Sequence, residues 1–293
     1  MKIIHLAAIL LFFSVAFGCG HQTELDITET RCESLINPVG IDNPQPVFSW
    51  ISKSEKRGTH QMTCQVMLSD NEKDITRNKG ALWNSGKIYE EKNSILYNGP
   101  SLQSNQVYYW KVRVWDEHGQ ESAFSKTARF TTSILDHRQW QASWIGRGTG
   151  NDPVNSDGFY QERILVDEEG DSVKYDENSL LLRKKYRFSK PVEQDIVHVS
   201  GLGFYELTVN GEKIGKKVLN PAKTNYHKIV LYVTYDVSDK IKKGANAIGL
   251  ILGNGWFNPL PKWWSWRMQW FGVKRALLQM HIRFSDGTTQ IIT

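Results

Sequence analysis

The chain is poor in the features that would place it in several large protein classes. It has three cysteines in 293 residues and one long apolar run, at its N-terminus. No two cysteines have the spacing of zinc ligands, and no later stretch is long enough for a transmembrane helix. The net charge of +5 is spread along the chain instead of forming a basic tail, so nucleic acid is not an expected partner.

Sequence motifs of catalysis are also scarce. There is no G-x-S-x-G elbow and no H-E-x-x-H helix. The stretch from Gly211 to Lys217 lacks the Ser or Thr of a phosphate loop, and Gly201-x-Gly203 lacks the third glycine of a dinucleotide site. The residues themselves therefore indicate neither a hydrolase triad, a metalloprotease nor a nucleotide-binding enzyme.

The first eighteen residues have the form of an export signal. Lys2 precedes an apolar segment, and small residues lead to Cys19. This arrangement resembles a bacterial lipoprotein signal, in which that cysteine receives the lipid. Residues 1–18 are then the signal, 19–29 the tether, and the chain is held on a membrane in the periplasm or at the cell surface. Ordinary secretion with a chance cysteine is the alternative.

Two further cysteines, Cys32 and Cys64, lie in the exported part, where a disulfide is permitted. One reading is a disulfide that braces the first domain. The other is a pair of buried thiols that pack as small apolar side chains.

Apolar and polar residues alternate along most of the chain. In the stretch from Tyr108 to Asp116, Tyr108, Trp110, Val112 and Val114 share one face, and Tyr109, Lys111 and Arg113 share the other. Several short segments of this kind, without helices between them, predict an all-β sandwich of immunoglobulin or fibronectin type III kind.

The order of five segments carries a family resemblance. Arg31-Cys32-Glu33, Asn37–Asp42, Phe48-Ser49-Trp50, Leu82–Lys87 and Tyr108–Asp116 together resemble the opening module of bacterial α-L-rhamnosidases of glycoside hydrolase family 78. The resemblance implies a fibronectin-type-III-like domain over 30–135 without catalytic residues. A connector over 136–146 follows, in which Trp140 and Trp144 are expected to join two domains. Residues 147–179 are read as a polar insertion.

A second group of segments resembles the carbohydrate-binding-like domain of the same family. They include Val199–Leu207, Asn210–Gly215, Tyr232–Val237 and Leu252–Trp256. The resemblance implies a jelly-roll β-sandwich over 180–293, incomplete at its C-terminus, of a type that in some relatives binds L-rhamnose with calcium. Where relatives usually carry Gly-Trp-Thr-Asp-Tyr, this chain has Ala222-Lys223-Thr224-Asn225-Tyr226. The missing indole and carboxylate weaken the carry-over of sugar or calcium binding at this loop.

Tryptophan is abundant, and five of the eleven fall between residues 256 and 270. Sugar rings stack their C–H faces on indoles while amides bind their hydroxyls. The candidate sugar-binding residues are Asn254, Trp256, Asn210, Trp263, Trp264 and Trp266. An aromatic strip is equally typical of a protein interface, so both readings stand.

The resemblance places the catalytic acid and base on an (α/α)6 barrel that follows these domains and has no counterpart up to Thr293. We therefore expect a non-catalytic glycan-binding or accessory part of an α-L-rhamnosidase, inactive alone, whose partner is a rhamnose-containing glycan or the missing catalytic domain. The alternatives are a stand-alone surface lipoprotein that binds rhamnose-containing glycans and a structural protein-interaction module.

Overall fold

A computed structural model describes residues 24–146, 178–258 and 271–293, with the backbone of two short strands at 165–166 and 172–173. In these residues no helix is long and apolar enough to cross a membrane. The predicted signal and Cys19 lie outside the described residues.

The first domain is a β-sandwich built from nine strands and one short helix. One sheet has the order β1-β3-β7, and the other has the order β2-β9-β8-β4-β5 with β6 also paired to β4. The elements are β1 (Asp26–Cys32), β2 (Val39–Ile41), β3 (Val47–Lys53), β4 (Gln61–Ser69), α1 (Glu72–Thr76), β5 (Trp83–Asn84), β6 (Ile88–Tyr89), β7 (Ser94–Leu96), β8 (Val107–Asp116) and β9 (Ala128–Thr132).

Strand β8 shows how the alternating sequence produces the core. Trp110 and Val112 are buried between the sheets, as the pattern predicts. The Phe48 ring lies 4.5 Å from the Trp110 ring. Lys111, predicted to be solvated, is only 5% exposed, because Asn78 accepts a hydrogen bond from its amine and the Phe124 ring lies 4.7 Å away. Burial lowers the pKa of Lys111.

The two cysteines of this domain are not joined. Cys32 and Cys64 are both buried thiols in the same core and have no disulfide. The disulfide reading is therefore wrong for this structure, and the thiols pack as small apolar side chains. Burial and nearby carboxylates raise the pKa of both thiols, which keeps them protonated.

The second domain is a β-sandwich of jelly-roll type with its own core. Its two larger sheets have the orders β13-β18-β15-β16 and β10-β19-β14-β17, with β20 also paired to β19. The strands from the connector onwards are β10 (Ile145–Gly146), β11 (Leu165–Val166), β12 (Ser172–Val173), β13 (Leu180–Phe188), β14 (Val192–Leu202), β15 (Phe204–Val209), β16 (Glu212–Lys213), β17 (Val233–Asp236), β18 (Gly244–Gly253), β19 (Arg275–Phe284) and β20 (Thr289–Ile292). Of the predicted insertion over 147–179, the structure describes the β11–β12 ladder, Asn178 and the residue after it.

Three local predictions can be compared with this domain. The Asn210-Gly211 hairpin is confirmed, since both residues have positive φ, 50° and 89°. The sequence pattern also predicts a strand over 214–219. This prediction is wrong, because regular pairing ends at Lys213 and the backbone then turns at Gly215 and Leu219. Unpaired strand edges are also predicted over 282–292. The structure leaves fewer residues unpaired there, because Ile282 pairs on both sides, with Asp195 and Gln290.

One of the two connector tryptophans packs on the second domain. The Trp140 ring lies edge-on to Tyr232 at 5.2 Å and to His198 at 5.9 Å. Because both rings belong to the second domain, the role of Trp140 in joining the two domains stays a prediction. Trp144 leaves 38% of its surface exposed.

A buried histidine connects both domains by hydrogen bonds. His198 is fully buried; its Nε2 lies 2.5 Å from Asn105 Oδ1 in the first domain, and its Nδ1 lies 2.9 Å from Thr234 Oγ1 in the second. A neutral ring satisfies both contacts if Nε2–H donates and Nδ1 accepts. Burial, together with nearby His281, lowers the pKa of His198 to about 3.

Candidate functional site

The predicted sugar-binding residues do not form one site. Strand β15 pairs with β18 so that Phe204 faces Gly253 and Val209 faces Ile248. Asn254 and Trp256 therefore lie beyond one end of the paired strands, and Asn210 lies beyond the other end. The six residues of β15 separate Asn210 from the other two by about 20 Å, at roughly 3.3 Å per residue.

Asn210 holds the hairpin and has no atom left for a sugar. Its Nδ2 donates to Lys240 O at 2.8 Å and to Asn246 Oδ1 at 2.9 Å, and its Oδ1 accepts from Ala247 N at 2.9 Å. The side chain thus fixes the turn against the start of β18. Asn210 is a structural residue in this fold.

The loop after β18, residues 254–258, forms the candidate site because two glycines, Gly203 and Gly255, let two segments approach closely. Gly203 has φ of 128°, and a Cβ there would lie 2.3 Å from Gly253 O. Gly255 has φ of 55°, and a Cβ there would lie 2.9 Å from Phe204 N. Neither position accepts a side chain without displacing backbone. Asn258 N then donates to Asn254 O at 3.1 Å and closes the loop.

This loop presents the Trp256 indole to solvent, with 41% of the residue exposed. The Lys223 ammonium lies 4.6 Å from the ring centroid, in a cation–π contact with one face of the indole. Lys223 comes from the 222–226 loop, at the position where the family resemblance implies a tryptophan. A ligand that stacks on this indole must use the other face or displace the ammonium.

Asn254 lies beside a buried amine. Its Oδ1 accepts from Lys274 Nζ at 2.9 Å and from Asn258 Nδ2 at 3.3 Å. Lys274 is 7% exposed and also donates to Asn178 O at 2.5 Å. These contacts orient the amide, and in the described part of the chain its Nδ2 has no partner. A donor is therefore available close to the indole.

Three rings support the loop from beneath. Tyr226, Phe257 and Phe271 pack with centroids between 5.1 and 5.9 Å apart. Phe257 is buried, and burial raises the pKa of Tyr226. The cluster ties the 222–226 loop to the loop after β18, so Lys223 and Trp256 are held together.

Trp263, Trp264 and Trp266 lie outside the described residues. Within the described ranges no group of three or more His, Cys, Asp or Glu side chains could hold a metal ion. Calcium binding, which the resemblance implies for some relatives, stays a prediction.

Chemically, the site offers the apolar face of Trp256, an amide donor on Asn254 and the ammonium of Lys223, while the buried Lys274 ammonium orients the amide. This combination suits an uncharged polyhydroxyl ligand or one with an electron-rich oxygen. Sequence reasoning identified Asn254 and Trp256 but missed Lys223 and Lys274. The signal for Lys223 was present, since it replaces the indole of the usual motif, whereas only the fold brings Lys274 to Asn254.

Comparison with known proteins finds a family match in each of the two domains. Residues 27–136 match the family described as Rha78A-like, N-terminal immunoglobulin domain. Residues 190–293 match the family described as Alpha-L-rhamnosidase N-terminal domain. The second match includes the whole loop after β18.

Similar full-length proteins are α-L-rhamnosidases. One from Formosa agariphila is 33% identical over 97% of this chain and 31% of its own length, and one from an Alteromonas species is 29% identical over 89% and 27%. A solved α-L-rhamnosidase from Dictyoglumus thermophilum is 33% identical, with a TM-score of 0.74 over 91% of this chain and 28% of that one. The chain spans about 30% of the length of these relatives. The two domains, their order and these matches show that the chain belongs, as an N-terminal region, to the α-L-rhamnosidases of glycoside hydrolase family 78.

Proposed function

We propose that this chain is a non-catalytic accessory region that binds terminal α-L-rhamnose of glycans through the loop after β18. The observation that carries the proposal is the exposed Trp256 indole beside the oriented amide of Asn254. The similar proteins are named for acting on α-L-rhamnosides, so L-rhamnose is the first sugar to test.

The carboxyls Asp195 and Asp236 of the second sandwich do not suit hydrolysis. Glycoside hydrolysis needs an acid and a second carboxylate facing each other across a sugar. Asp195 lies on β14 and is fully buried, whereas Asp236 on β17 is partly exposed; burial, and then the charge of Asp236, raise the pKa of Asp195. A sugar cannot reach the Asp195 carboxyl in the core. We expect no turnover of an aryl α-L-rhamnoside above the buffer rate, and turnover abolished by a single Asp or Glu substitution would contradict this.

Titration calorimetry tests sugar binding. Stacking on one indole with a few hydrogen bonds corresponds to a Kd between about 1 mM and tens of µM, roughly 4–6 kcal/mol. Trp256→Ala should weaken L-rhamnose binding about tenfold, equivalent to about 1.4 kcal/mol. Trp144→Ala is the matched control, because Trp144 is a similarly exposed indole outside this loop. Equal heats for Trp256→Ala and the unaltered chain would assign the indole to a protein interface.

Substitution of Lys223 gives a second test of sugar binding, in which affinity should rise instead of fall. Lys223→Ala uncovers one face of the Trp256 indole, and Lys223→Trp restores the aromatic residue of the usual motif. Both variants should bind L-rhamnose more tightly than the unaltered chain. If the ligand instead needs the Lys223 ammonium, both variants should lose binding. That result would exclude stacking on the Trp256 face that Lys223 covers.

We further propose that the chain is anchored to a membrane through lipid on Cys19. The support is the residue pattern at the N-terminus alone. Cys19→Ala should move the protein from the membrane fraction to the soluble fraction. A soluble unaltered protein would contradict the anchor.

A further inference from the structure

The outer face of the β13-β18-β15 sheet contains a trough that the loop after β18 does not use. Its floor is the middle strand, where the outward residues Ala245, Ala247 and Gly249 are small. Longer side chains rise on both sides, Arg183 and Lys185 from β13 and Thr208 from β15. The concavity has a volume of about 660 Å³, which lies within the roughly 300–1,000 Å³ of ordinary ligand pockets.

The register fixes this shape. Arg183 pairs with Gly249, which in turn pairs with Thr208 across the sheet. A Cβ on Gly249 would lie 2.7 Å from Thr208 Oγ1, so the glycine lets Thr208 lean over the floor. The trough is one strand wide, which places its two rims about 10 Å apart at roughly 4.8 Å between neighbouring strands.

The charge of the trough is of one sign. Arg183, Lys185 and Lys242 line it and are exposed, and no Asp or Glu does. Among the described residues their side chains have no ion pair, whereas nearby Lys213 is paired with Glu206 at 2.6 Å. Arg183 and Lys185 are two residues apart on one strand, so their Cα atoms are separated by about 6.6 Å.

One end of the trough has two apolar residues, beside the carboxylate of Glu206, which is paired with Lys213. Leu181 and Ile251 pair across β13 and β18 and are 71% and 43% exposed. An apolar patch that continues into unpaired cations fits a ligand with C–H faces and negative groups. A protein partner of ordinary size would bury about 800 Å² on each side around an apolar centre, which two exposed side chains do not provide.

We propose that this trough binds an anionic polysaccharide, a glycan strand that carries carboxylate or sulfate groups. The anionic groups pair with Arg183 and Lys185, and a neighbouring sugar ring packs on Leu181 and Ile251. The site is separate from the L-rhamnose site, because β18 presents the trough on its outer face and Trp256 beyond its end. The chain therefore holds a charged polymer at one surface and a terminal neutral sugar at another.

The test is binding of the purified chain to immobilised polygalacturonate and dextran sulfate, with neutral dextran and polyglutamate as comparisons. Arg183→Gln/Lys185→Gln should weaken binding to at least one anionic glycan by tenfold or more. Lys216→Gln/Lys217→Gln is the matched control, since it removes the same charge from exposed lysines outside the trough and should change binding less than twofold. The first two ligands distinguish carboxylate from sulfate as the recognised group.

Further arms separate the alternatives. Ala247→Leu fills the floor without changing charge and should also weaken binding tenfold. Trp256→Ala should leave it unchanged, so this proposal and L-rhamnose binding can fail independently. If both double variants lose the same amount of glycan affinity, the effect is one of overall charge. If polyglutamate binds as tightly as the anionic glycans, and Arg183→Gln/Lys185→Gln weakens its binding equally, the trough binds an acidic protein. Either result overturns the proposal, as does absence of binding to both anionic glycans.

Discussion

At the scale of single residues, the least expected group is Asp195. It is fully buried on β14, and among the described residues neither carboxylate oxygen has a hydrogen-bond partner. Burial first, and the charge of Asp236 second, raise the pKa of Asp195 to about 8. At neutral pH the carboxyl therefore keeps its proton, because an unpaired charge in the core costs several kcal/mol.

This shift predicts that the folded chain loses stability as pH rises. The unfolded carboxyl ionises near pH 4 and the folded one near pH 8, so the folded state binds more protons between those values. The unfolding free energy should fall by up to about 1.4 kcal/mol per pH unit in this window. Asp195→Asn should remove that slope and raise stability at pH 7 by more than about 1 kcal/mol.

Urea denaturation at several pH values between 6.5 and 8 measures this effect. Histidines of the unfolded chain still titrate near pH 6.5, so the contribution of Asp195 is taken as the difference in slope between the unaltered chain and Asp195→Asn. Asp286→Asn is a control at an exposed carboxyl whose pKa is lowered by Lys190 and should leave the slope above pH 6.5 intact. A variant at Asp195 with an unchanged slope would show that the carboxyl is ionised in the fold.

At the scale of elements, the hairpin at Asn210 shows how the structure distinguishes a structural residue from a ligand-binding residue. Its sequence signal, Asn-Gly between two apolar segments, predicted a turn, and the same asparagine was a candidate sugar ligand. The structure assigns it to the turn because all its side-chain polar atoms are bonded within the protein.

Asn210→Ala should therefore reduce stability and leave L-rhamnose affinity unchanged. It removes three hydrogen bonds, at about 1 kcal/mol each, and places alanine, which tolerates the left-handed region less well than asparagine, at a φ of 50°. Asn210→Gly keeps the backbone freedom and should cost less. Thermal unfolding with calorimetry measures both properties. A tenfold loss of sugar binding without loss of stability would return Asn210 to the ligand set.

Strand patterns were predicted well where one face is buried and the other solvated. The sequence pattern predicts strands over 108–116, 181–188, 204–209, 247–252 and 276–284, and β8, β13, β15, β18 and β19 lie within three residues of these bounds. The prediction failed over 214–219, where alternating residues are not paired. Alternation of apolar and polar residues indicates which side chains can face a core. Strand pairing also requires a neighbouring strand, and the alternation pattern does not say whether one is present.

At the scale of the whole molecule, a polar interface makes the two sandwiches one unit. His198 contacts Asn105, and Gln279 Nε2 donates to Gln139 O at 3.0 Å while its Oε1 accepts from Gln141 N at 2.7 Å. Gly40 of the first domain lies so close to Thr234 that a Cβ would come within 2.5 Å of the threonine Cβ. Such buried polar contacts specify one arrangement of the domains.

The interface should loosen in acid. The folded pKa of His198 lies near 3 and the unfolded value near 6.5, so the folded state binds fewer protons between these values. The stabilising contribution of the neutral ring is present above pH 6.5 and declines as pH falls towards 3. Protonated Asp195 changes in the opposite direction over part of this range, so Asp195→Asn is the right background for the measurement.

Hydrogen exchange of the peptides that contain residues 133–142 and 232–234 follows the interface directly. Their protection should decrease between pH 6.5 and 4 after correction for intrinsic exchange, and much less in His198→Gln, which keeps polar contacts without titrating. Peptides of β4 and β8 report on the core of the first domain and serve as the internal control. Equal loss in all peptides would indicate global unfolding instead.

The sequence by itself determined the all-β architecture, the order of the two domains and the family. These follow from local alternation and from ordered motifs such as those around Trp110 and Gly203, which depend on residues close together in the chain. It also identified Asn254 and Trp256, because an indole and an amide after a strand are visible in sequence.

Only the tertiary structure decided how distant residues combine. It separated Asn210 from Trp256, brought Lys223 over the indole, left Cys32 and Cys64 as thiols, and lined up Arg183 with Gly249 and Thr208 in one trough. Each of these depends on strand register and on the approach of segments far apart in the chain. The physical reason is that side-chain chemistry is local to the sequence, whereas contact distances are set by how the sheets pair and pack.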